Sequence, residues 1–269
     1  YFHLLSLITE VARYAEERQE TAKRKKLPTF EDLNPNRKFV DNAVVALLSH
    51  SDTVNDYNAS HKLSWARFPE LIKTLFEQLE RSDYYKKYMA SSEHSFREDL
   101  SLVVDFYSNE LEESEMLEDV LDEESILWND DLGFVLAMVI RTLSGIRQSH
   151  RDVKVMPEFK NPDDLLFAKE LFAKAALNFD AHLQYIEKFT RNWDVERIAF
   201  MDNLIMVTAM TELISFPSIP VKVTLDEYIE IAKYYSTPAS STFINGVLDK
   251  IVSSLTEEGR INKSGRGLI

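Results

Sequence analysis

The chain has 269 residues, of which 45% are hydrophobic and 28% charged, and this composition is ordinary for a globular protein with one large core or two smaller ones. It contains no cysteine, which excludes disulfides, cysteine-ligated zinc, iron–sulfur clusters and thiol nucleophiles and suits a reducing compartment, so we expect a cytoplasmic protein. No run of about 18 uncharged apolar residues occurs, so we predict no membrane-spanning helix.

The net charge of −14 is unevenly distributed along the chain. Residues 1–159 carry 19 basic and 30 acidic side chains, a balance of −11, whereas residues 160–269 carry 12 and 15, a balance of −3. Nine carboxylates lie in ELEESEMLEDVLDEES, residues 110–125. Because the acidity is local, it does not exclude an RNA-binding surface in the second half of the chain.

Helical periodicity dominates almost the whole chain, and strand signals are weak throughout, so the predicted fold class is all-α. Helices are predicted over residues 1–20, 39–48 and 68–89, with two or three more between 96 and 148. The stripe of Leu71, Leu75 and Leu79 marks the buried face of the third helix. Tyr1 lies inside an apolar-periodic stretch without a signal-peptide pattern, so we expect the natural chain to begin further upstream.

The segment MPEFKNPDD, residues 156–164, is the strongest internal boundary because two prolines flank a polar cluster. We therefore divide the chain into a helical N-terminal region with the acidic insertion, 1–159, a helical domain, 160–257, and a basic flexible tail, 258–269. No internal repeat is found.

The second half begins with two predicted helices. Residues 163–190 form one long helix with Leu166, Ala173 and Leu177 on its apolar face. Residues 194–215 are apolar nearly all round, which is typical of a central buried helix.

Two further helices follow a proline-rich stop. Thr224 and Glu227 have capping-box spacing and predict a helix that runs to Tyr235. Thr237 as N-cap and Pro238 at the first helical position predict the last helix.

The segment STFINGVLDKI, residues 241–251, combines a helical apolar stripe with an Asn-Gly pair, which is otherwise a strong hairpin signal. Glycine inside a helix costs roughly 1 kcal/mol relative to alanine. We interpret Gly246 as structural, allowing a second backbone to approach closely, with Asn245 bonded to the crossing segment. The alternative is functional and concerns Phe243, within two turns of a helix N-terminus that suits a phosphate. Its ring could stack an unpaired base, although such phenylalanines are more often part of a core.

Residues 192–252 resemble the C-terminal half of NusB, the bacterial transcription antitermination factor. The resemblance rests on several motifs in one order without gaps. They are Trp193 with Arg197, Asp202, the Thr-Glu-Leu ending at Leu213, Ile219-Pro-Val-Lys-Val223, Asp226-Glu227, the Glu-Ile-Ala-Lys ending at Lys233, and Phe243-Ile-Asn-Gly-Val-Leu-Asp249. With the preceding helix it covers about 160–257.

The resemblance implies an all-helical, non-enzymatic protein that binds the boxA element of ribosomal RNA leader transcripts. It also implies a complex with the ribosomal protein NusE within the RNA polymerase antitermination complex. In the family, an arginine-rich N-terminal helix and the segment around the Phe-x-Asn-Gly motif hold the RNA. Phe243 is therefore the leading candidate for RNA contact, with Thr242 and Ser241 beside it.

Three features depart from the family's pattern. No arginine-rich opening helix is present, so this chain alone is expected to bind RNA weakly. Thr242 stands where family members often carry a charged or amide residue, which implies a shallower salt dependence. Roughly 140 residues replace a short link, and in this the chain resembles the long NusB-like proteins of Bacteroidetes-type bacteria.

Other charged residues have two interpretations each. Asp202 interrupts a buried helix, so it is either salt-bridged within the fold or on an exposed rim that faces a protein partner such as NusE. Lys222 and Lys233 are candidate phosphate contacts, although an exposed lysine often does nothing specific. The basic run at 23–26 is interpreted as a solvated turn, with phosphate contact as the alternative. The acidic segment is a solvated face or a surface that competes with RNA for a basic partner.

No catalytic residue, metal site or cofactor is predicted. The six histidines have no helical ligand spacing. A NusB-like domain also precedes certain ribosomal RNA cytosine methyltransferases, but those need a cysteine and a nucleotide-binding α/β domain that this chain lacks. The remaining alternative to an RNA-binding antitermination factor is a protein-binding scaffold in ribosome assembly without direct RNA binding.

Overall fold

The computed structural model describes residues 1–190 and 198–264, and no strand occurs in those two ranges. The predicted all-α fold class is confirmed. Trp193 and Arg197, which contribute to the family resemblance, lie outside the described residues, as do the last five residues of the predicted tail. No helix in the described ranges is long and apolar enough to cross a membrane.

Two compact units make up the chain, and they divide between Met156 and Pro157. The division lies in the proline-flanked segment at 156–164. Proline disfavours a helical conformation in the residue before it, and this disfavours a helix that continues across this point.

Unit 1 is a bundle of short helices with a single apolar core. Its helices are α1 (Phe2–Leu5), α2 (Leu7–Lys23), α3 (Phe30–Leu33), α4 (Ala43–Ser49), α5 (Asp52–Ser60), α6 (Pro69–Arg81), α7 (Asp83–Ala90), α8 (Phe96–Asn109), α9 (Glu115–Glu124) and α10 (Trp128–Ser144). Two buried aromatic side chains also satisfy backbone carbonyls. The Trp65 indole donates to the His3 carbonyl at 2.9 Å, and the Tyr107 hydroxyl donates to the Leu4 carbonyl at 2.6 Å. The core therefore buries these rings without leaving their polar atoms unpaired.

The single helix predicted over 68–89 is wrong, because the structure contains two helices there. α6 ends at Arg81, and the next residue, Ser82, has extended backbone angles and accepts a hydrogen bond from the Tyr85 N–H at 3.2 Å. A serine in that position is a favourable N-cap for the next helix. Leu71, Leu75 and Leu79 are all buried on α6, so the predicted face of its first part is confirmed.

Unit 2 contains five helices in its described residues, and they surround a second apolar core. They are α11 (Pro162–Leu177), α12 (Phe179–Thr190), α13 (Phe200–Ser215), α14 (Val221–Tyr235) and α15 (Ser240–Glu257). α13 packs against each of the other four. It is the central helix of the unit, as its nearly all-round apolar sequence predicts, although the predicted start at 194 lies outside the described residues.

The long helix predicted over 163–190 is also two helices, separated at Asn178. The predicted apolar face of its first part is wrong. Leu177 is 85% exposed, Leu166 is 56% exposed, and Ala173 is exposed as well. Phe167 and Leu171, on the other side of α11, are half-buried instead. α11 has apolar residues on both sides, and the helix packs through the one that the pattern did not select.

The last two helices, α14 and α15, begin at residues other than the predicted ones. α14 begins at Val221, so Thr224 is inside the helix, where it is fully buried and donates to Glu212 Oε1 at 2.7 Å instead of capping. α15 begins at Ser240, and Thr237 and Pro238 form the turn before it.

Candidate nucleic-acid interface

α15 presents one face to the core and the opposite face to solvent. Its apolar stripe is fully or almost fully buried, as the helical spacing predicts: Ile244, Val247, Leu248, Ile251 and Leu255 are each at most 2% exposed. Thr242, Asn245 and Gly246 lie on the exposed face of the same helix. The first two turns of α15 therefore place the Phe-x-Asn-Gly motif at the boundary between core and solvent.

The predicted structural reason for Gly246 is wrong. A Cβ atom built on Gly246 meets no atom within 4 Å, so no second backbone approaches there. Asn245 is exposed and makes no hydrogen bond to another described segment. Neither Asn245 nor Gly246 therefore packs α15 against another described segment.

The three candidate RNA contacts at the start of α15 differ in exposure. Thr242 is exposed, Ser241 is half-buried, and Phe243 is half-buried where it packs against the core of unit 2. The N-cap residue is Ala239, which has no side-chain acceptor for the first N–H groups of the helix. The Phe243 ring is thus partly accessible beside a helix N-terminus that carries partial positive charge.

Asp202 is connected to the turn that precedes α15. It lies in the first turn of α13, where the helix dipole favours a carboxylate, and it is 5% exposed. The Ser236 hydroxyl donates a short hydrogen bond to its Oδ1 atom. Among the described residues no lysine or arginine pairs with Asp202, and its burial is incompatible with an exposed rim. The predicted exposed rim is therefore wrong, and the contact seen among the described residues is a hydroxyl contact inside unit 2. The predicted salt bridge stays a prediction, because Arg191 and Arg197 lie outside the described residues.

The hydrogen bonds around Asp202 have a defined direction. A carboxylate only accepts, so the single Ser236 proton is committed to Asp202. Ser236 Oγ also lies 3.0 Å from Ser240 Oγ, which accepts from the Thr237 N–H at 3.2 Å and is 2.7 Å from Thr237 Oγ1. Because Ser240 is the first residue of α15 and is 2% exposed, this chain of hydroxyls fixes the start of the helix relative to α13.

The predicted phosphate-binding lysines are not close together. Lys222 lies in the first turn of α14 and Lys233 near its last turn, so roughly 16 Å of helix separates them at 1.5 Å per residue. Lys233 is 2.5 Å from Glu230, so it already has a carboxylate partner on its own helix. Sequence reasoning missed Lys250, which is exposed on α15 and pairs with no described carboxylate. Its position seven residues after Phe243 places it two turns further along the same side.

A buried carboxylate holds α14 against α13. Glu212 is 6% exposed and accepts from Thr224 Oγ1 at 2.7 Å and from the Tyr228 hydroxyl at 3.1 Å. Burial, with the negative charge of Glu212 beside it, raises the pKa of Tyr228, so the phenol remains a donor. Sequence reasoning missed Glu212 because a carboxylate beside an apolar run gives no sign of its partners. The contact sets the position of α14 and hence of the turn that leads into α15.

The described residues contain no group of three or more histidine, aspartate or glutamate side chains placed to hold a metal ion. The exposed side of α15 carries the hydroxyls of Ser241 and Thr242, the Asn245 amide and the Phe243 ring near its start, and the Asp249 carboxylate and the Lys250 cation further along. These groups are suited to binding a polar, negatively charged ligand.

Comparison with known proteins identifies the family. The NusB family profile matches residues 157–253. A Salinibacter ruber protein named Transcription antitermination protein NusB is 41% identical over 138 residues, which are 49% of this chain and 86% of that protein. The chain belongs to the NusB family. Equally named relatives are 42% identical over 85 residues in Chloroherpeton thalassium and 32% identical over 97 residues in Natranaerobius thermophilus.

The NusB relatives differ in how much of their length is matched. The aligned segment covers 40% of the Chloroherpeton thalassium protein and 70% of the Natranaerobius thermophilus protein. No solved structure matches the chain with significance. The family profile covers α11–α14 and α15 up to residue 253, but not α1–α10, so the helices of unit 1 lie outside the profile match.

Proposed function

We propose that this NusB family protein is a non-catalytic transcription antitermination factor that binds single-stranded RNA at the start of α15. The RNA is of the boxA type found in ribosomal RNA leaders, and the protein binds it in the cytoplasm together with the ribosomal protein NusE, as part of the antitermination complex of RNA polymerase. The relatives are named for antitermination, which supports this role.

The observation that carries the proposal is the placement of Phe243. The ring is half-buried at the boundary between core and solvent, next to exposed Thr242 and within the first two turns of a long helix. An aromatic face can stack an unpaired base, and stacking contributes roughly 1–3 kcal/mol per base. The hydroxyls of Thr242 and Ser241 can donate to phosphate or sugar oxygens.

The contribution of Lys222 and Lys233 to RNA binding is expected to be small. Lys222 is far from the start of α15 along α14, and Lys233 is already paired with Glu230. Lys250 is a better candidate for a phosphate contact because it shares a side of α15 with Phe243.

The test is the affinity of the protein for a boxA-containing RNA, measured with and without NusE over a range of salt concentrations. We expect Phe243→Ala to lose at least about tenfold in affinity, which corresponds to ~1.4 kcal/mol and lies within the range for one stacked base. Phe172→Ala is the matched control, since Phe172 is 77% exposed on α11 of the same unit. Equal affinity of the Phe243→Ala and Phe172→Ala variants would remove Phe243 from the RNA contact.

A protein scaffold without RNA binding is the second candidate, and the surface of α9 favours it. Five exposed carboxylates on this helix, Glu115, Glu118, Asp119, Asp122 and Glu123, pair with no cation in the described residues. Such a surface attracts basic proteins and repels RNA. If NusE bound the full-length protein while boxA RNA bound neither the protein nor the complex, the scaffold would replace the RNA-binding role.

A further inference from the structure

The residues between α2 and α3, together with α3 itself, expose three large apolar side chains. We call residues 24–33 the α2–α3 segment. In this segment Leu27 is 90% exposed, Phe30 is 75% exposed and Leu33 is 53% exposed. Phe30 and Leu33 lie three residues apart on one side of α3, and Leu27 lies in the turn before it. Single exposed apolar residues are normal on a protein surface, but three within seven residues indicate an interaction surface.

The α2–α3 segment is held in one conformation by its own hydrogen bonds. Thr29 Oγ1 accepts from the Asp32 N–H at 3.1 Å, and Asp32 Oδ2 accepts from the Thr29 N–H at 3.0 Å. Lys25 Nζ donates to Asp32 Oδ1 at 2.8 Å. Because these bonds order the segment before any partner arrives, a partner that binds its apolar side chains causes a smaller loss of conformational entropy.

The charge of the α2–α3 segment is opposite to that of its surroundings. The segment carries three basic and two acidic residues, a balance of +1, whereas residues 1–159 as a whole have a balance of −11. Arg24 and Lys26 are exposed, and neither forms an ion pair with a carboxylate in the described residues. The surface that fits this segment is therefore apolar and negatively charged.

α9 offers a surface with these properties. Met116, Asp119 and Glu123 are exposed, and their spacing of three and four residues places them on one side of the helix. Met116 is 41% exposed, and Leu127, in the turn after α9, is 65% exposed. No cation in the described ranges forms an ion pair with Asp119 or Glu123. This side of α9 thus has carboxylates between two exposed apolar side chains.

The α2–α3 segment and α9 lie at opposite ends of α2. The α9 end is marked by Glu124, whose Oε2 atom is 3.4 Å from Nε2 of His3, four residues before α2 begins. The α2–α3 segment starts at the other end of α2, directly after Lys23. α2 has 17 residues, so roughly 25 Å of helix separates the two surfaces. They cannot contact each other within one molecule, and a contact between them requires two copies.

We propose that the α2–α3 segment of one copy of this chain docks on α9 of a second copy. The three apolar side chains of the segment pack beside Met116 and Leu127, and Arg24 and Lys26 approach the carboxylates of α9. Both surfaces belong to unit 1, outside the family profile, so the inference does not depend on the proposed RNA binding. The contact is small, and we expect a weak and reversible association.

The experiment measures the molecular mass of the protein by sedimentation over a range of protein concentrations. Physiological ionic strength is used, where the net negative charges of two copies are screened beyond about 8 Å. The mass of the wild type should rise with concentration to twice the monomer mass or more. One variant combines Leu27→Ser with Phe30→Ser, and the other combines Asp119→Lys with Glu123→Lys. Each should remain a monomer at concentrations where the wild type associates.

Mixing the two variants provides the decisive measurement. The first variant retains an intact α9, and the second retains an intact α2–α3 segment. A mixture should form a complex of one copy of each variant, and assembly should stop there because only one intact contact is available. Formation of this complex also shows that both variants are folded.

The matched control combines Asp52→Lys with Asp56→Lys on α5. Asp52 and Asp56 are exposed and have the same four-residue spacing as the α9 pair, so the change in charge is identical. This control should associate as the wild type does. A wild type that stays monomeric, a variant that associates like the wild type, or a mixture that forms no complex would each overturn the proposal.

Discussion

The contact between Asp202 and Ser236 predicts a coupled effect on stability and RNA affinity. Ser236→Ala removes the hydroxyl that donates to a carboxylate that is 5% exposed. A hydrogen bond to a charged group contributes about 1.5–3 kcal/mol to stability. Ser236 is only half-buried, so water can partly replace its hydroxyl, and we expect the lower end, a loss of about 1–2 kcal/mol.

A double-mutant cycle isolates this contact. Asp202→Asn keeps a carbonyl oxygen as acceptor but removes the charge, and Ser236→Ala removes the donor. The free energies of unfolding from urea titration of the two single variants and the double variant should show a coupling of roughly 1 kcal/mol, as expected for residues in direct contact. Ser253→Ala is the control, because its exposed hydroxyl bonds only the Asp249 carbonyl within α15.

The same variants report on RNA binding through the position of α15. Ser236→Ala should weaken boxA binding while the salt dependence stays unchanged, because no cation is removed. Ser236→Thr retains the hydroxyl and should restore most of the affinity. A coupling near zero, or full RNA affinity in the Ser236→Ala variant, would refute the view that Asp202 positions the start of α15.

Two further predictions concern other parts of the chain. Burial would raise the pKa of Asp152, but hydrogen bonds from Ser51, Thr53 and the Val153 N–H outweigh it and lower the pKa to about 2. The stability that this carboxylate contributes is therefore complete above its unfolded pKa near 3.9 and disappears as the pH falls toward about 2. Asp152→Asn should be less stable than wild type in urea titrations at pH 7, and equal loss at pH 2 and pH 7 would contradict this account. Phe200 is 70% exposed in the first turn of α13, at the end of unit 2 that holds Asp202. Phe200→Ala should therefore weaken binding of boxA RNA or of NusE without loss of stability. Unchanged binding of both ligands would contradict this prediction.

Periodicity predicted the helices whose apolar residues fall on one side only. The stripes of α6 and α15 are buried as expected, because a single apolar face leaves one way to pack. α11 shows the limit of this reasoning, since its two apolar sides are equivalent in sequence. Only the packing against α13 decides that Phe167, and not Leu177, faces inward.

Hydroxyl residues account for most of the wrong boundaries. Ser82 ends α6 and caps α7, yet in the sequence it is one polar residue in a continuous helical pattern. Thr224 fits a capping box by spacing but uses its hydroxyl for the buried Glu212. A serine or threonine can cap a helix, bond a turn or donate to a distant carboxylate, and only the tertiary structure selects among these uses.

The resemblance to the family predicted the candidate site, but it did not predict the contacts that support the site. Phe243, Thr242 and Ser241 lie together at the start of α15, as their adjacency requires. Asp202 and Ser236 are 34 positions apart, and no local pattern connects them. Lys250 was missed because an isolated lysine on a helix carries no signal until the groups beside it are known.

The half-burial of Phe243 makes Gly246 the more informative position. Phe243 packs against the core of unit 2, so replacing it with alanine removes packing as well as any stacking surface. A core phenylalanine loses about 3–5 kcal/mol in this substitution, and for a half-buried ring we expect about half of that. A weakened Phe243→Ala variant could therefore bind less RNA because the start of α15 is disordered. Gly246→Ala can only stabilise the helix through its backbone, so a loss of affinity in that variant has no origin in the fold and must arise from the contact with the ligand.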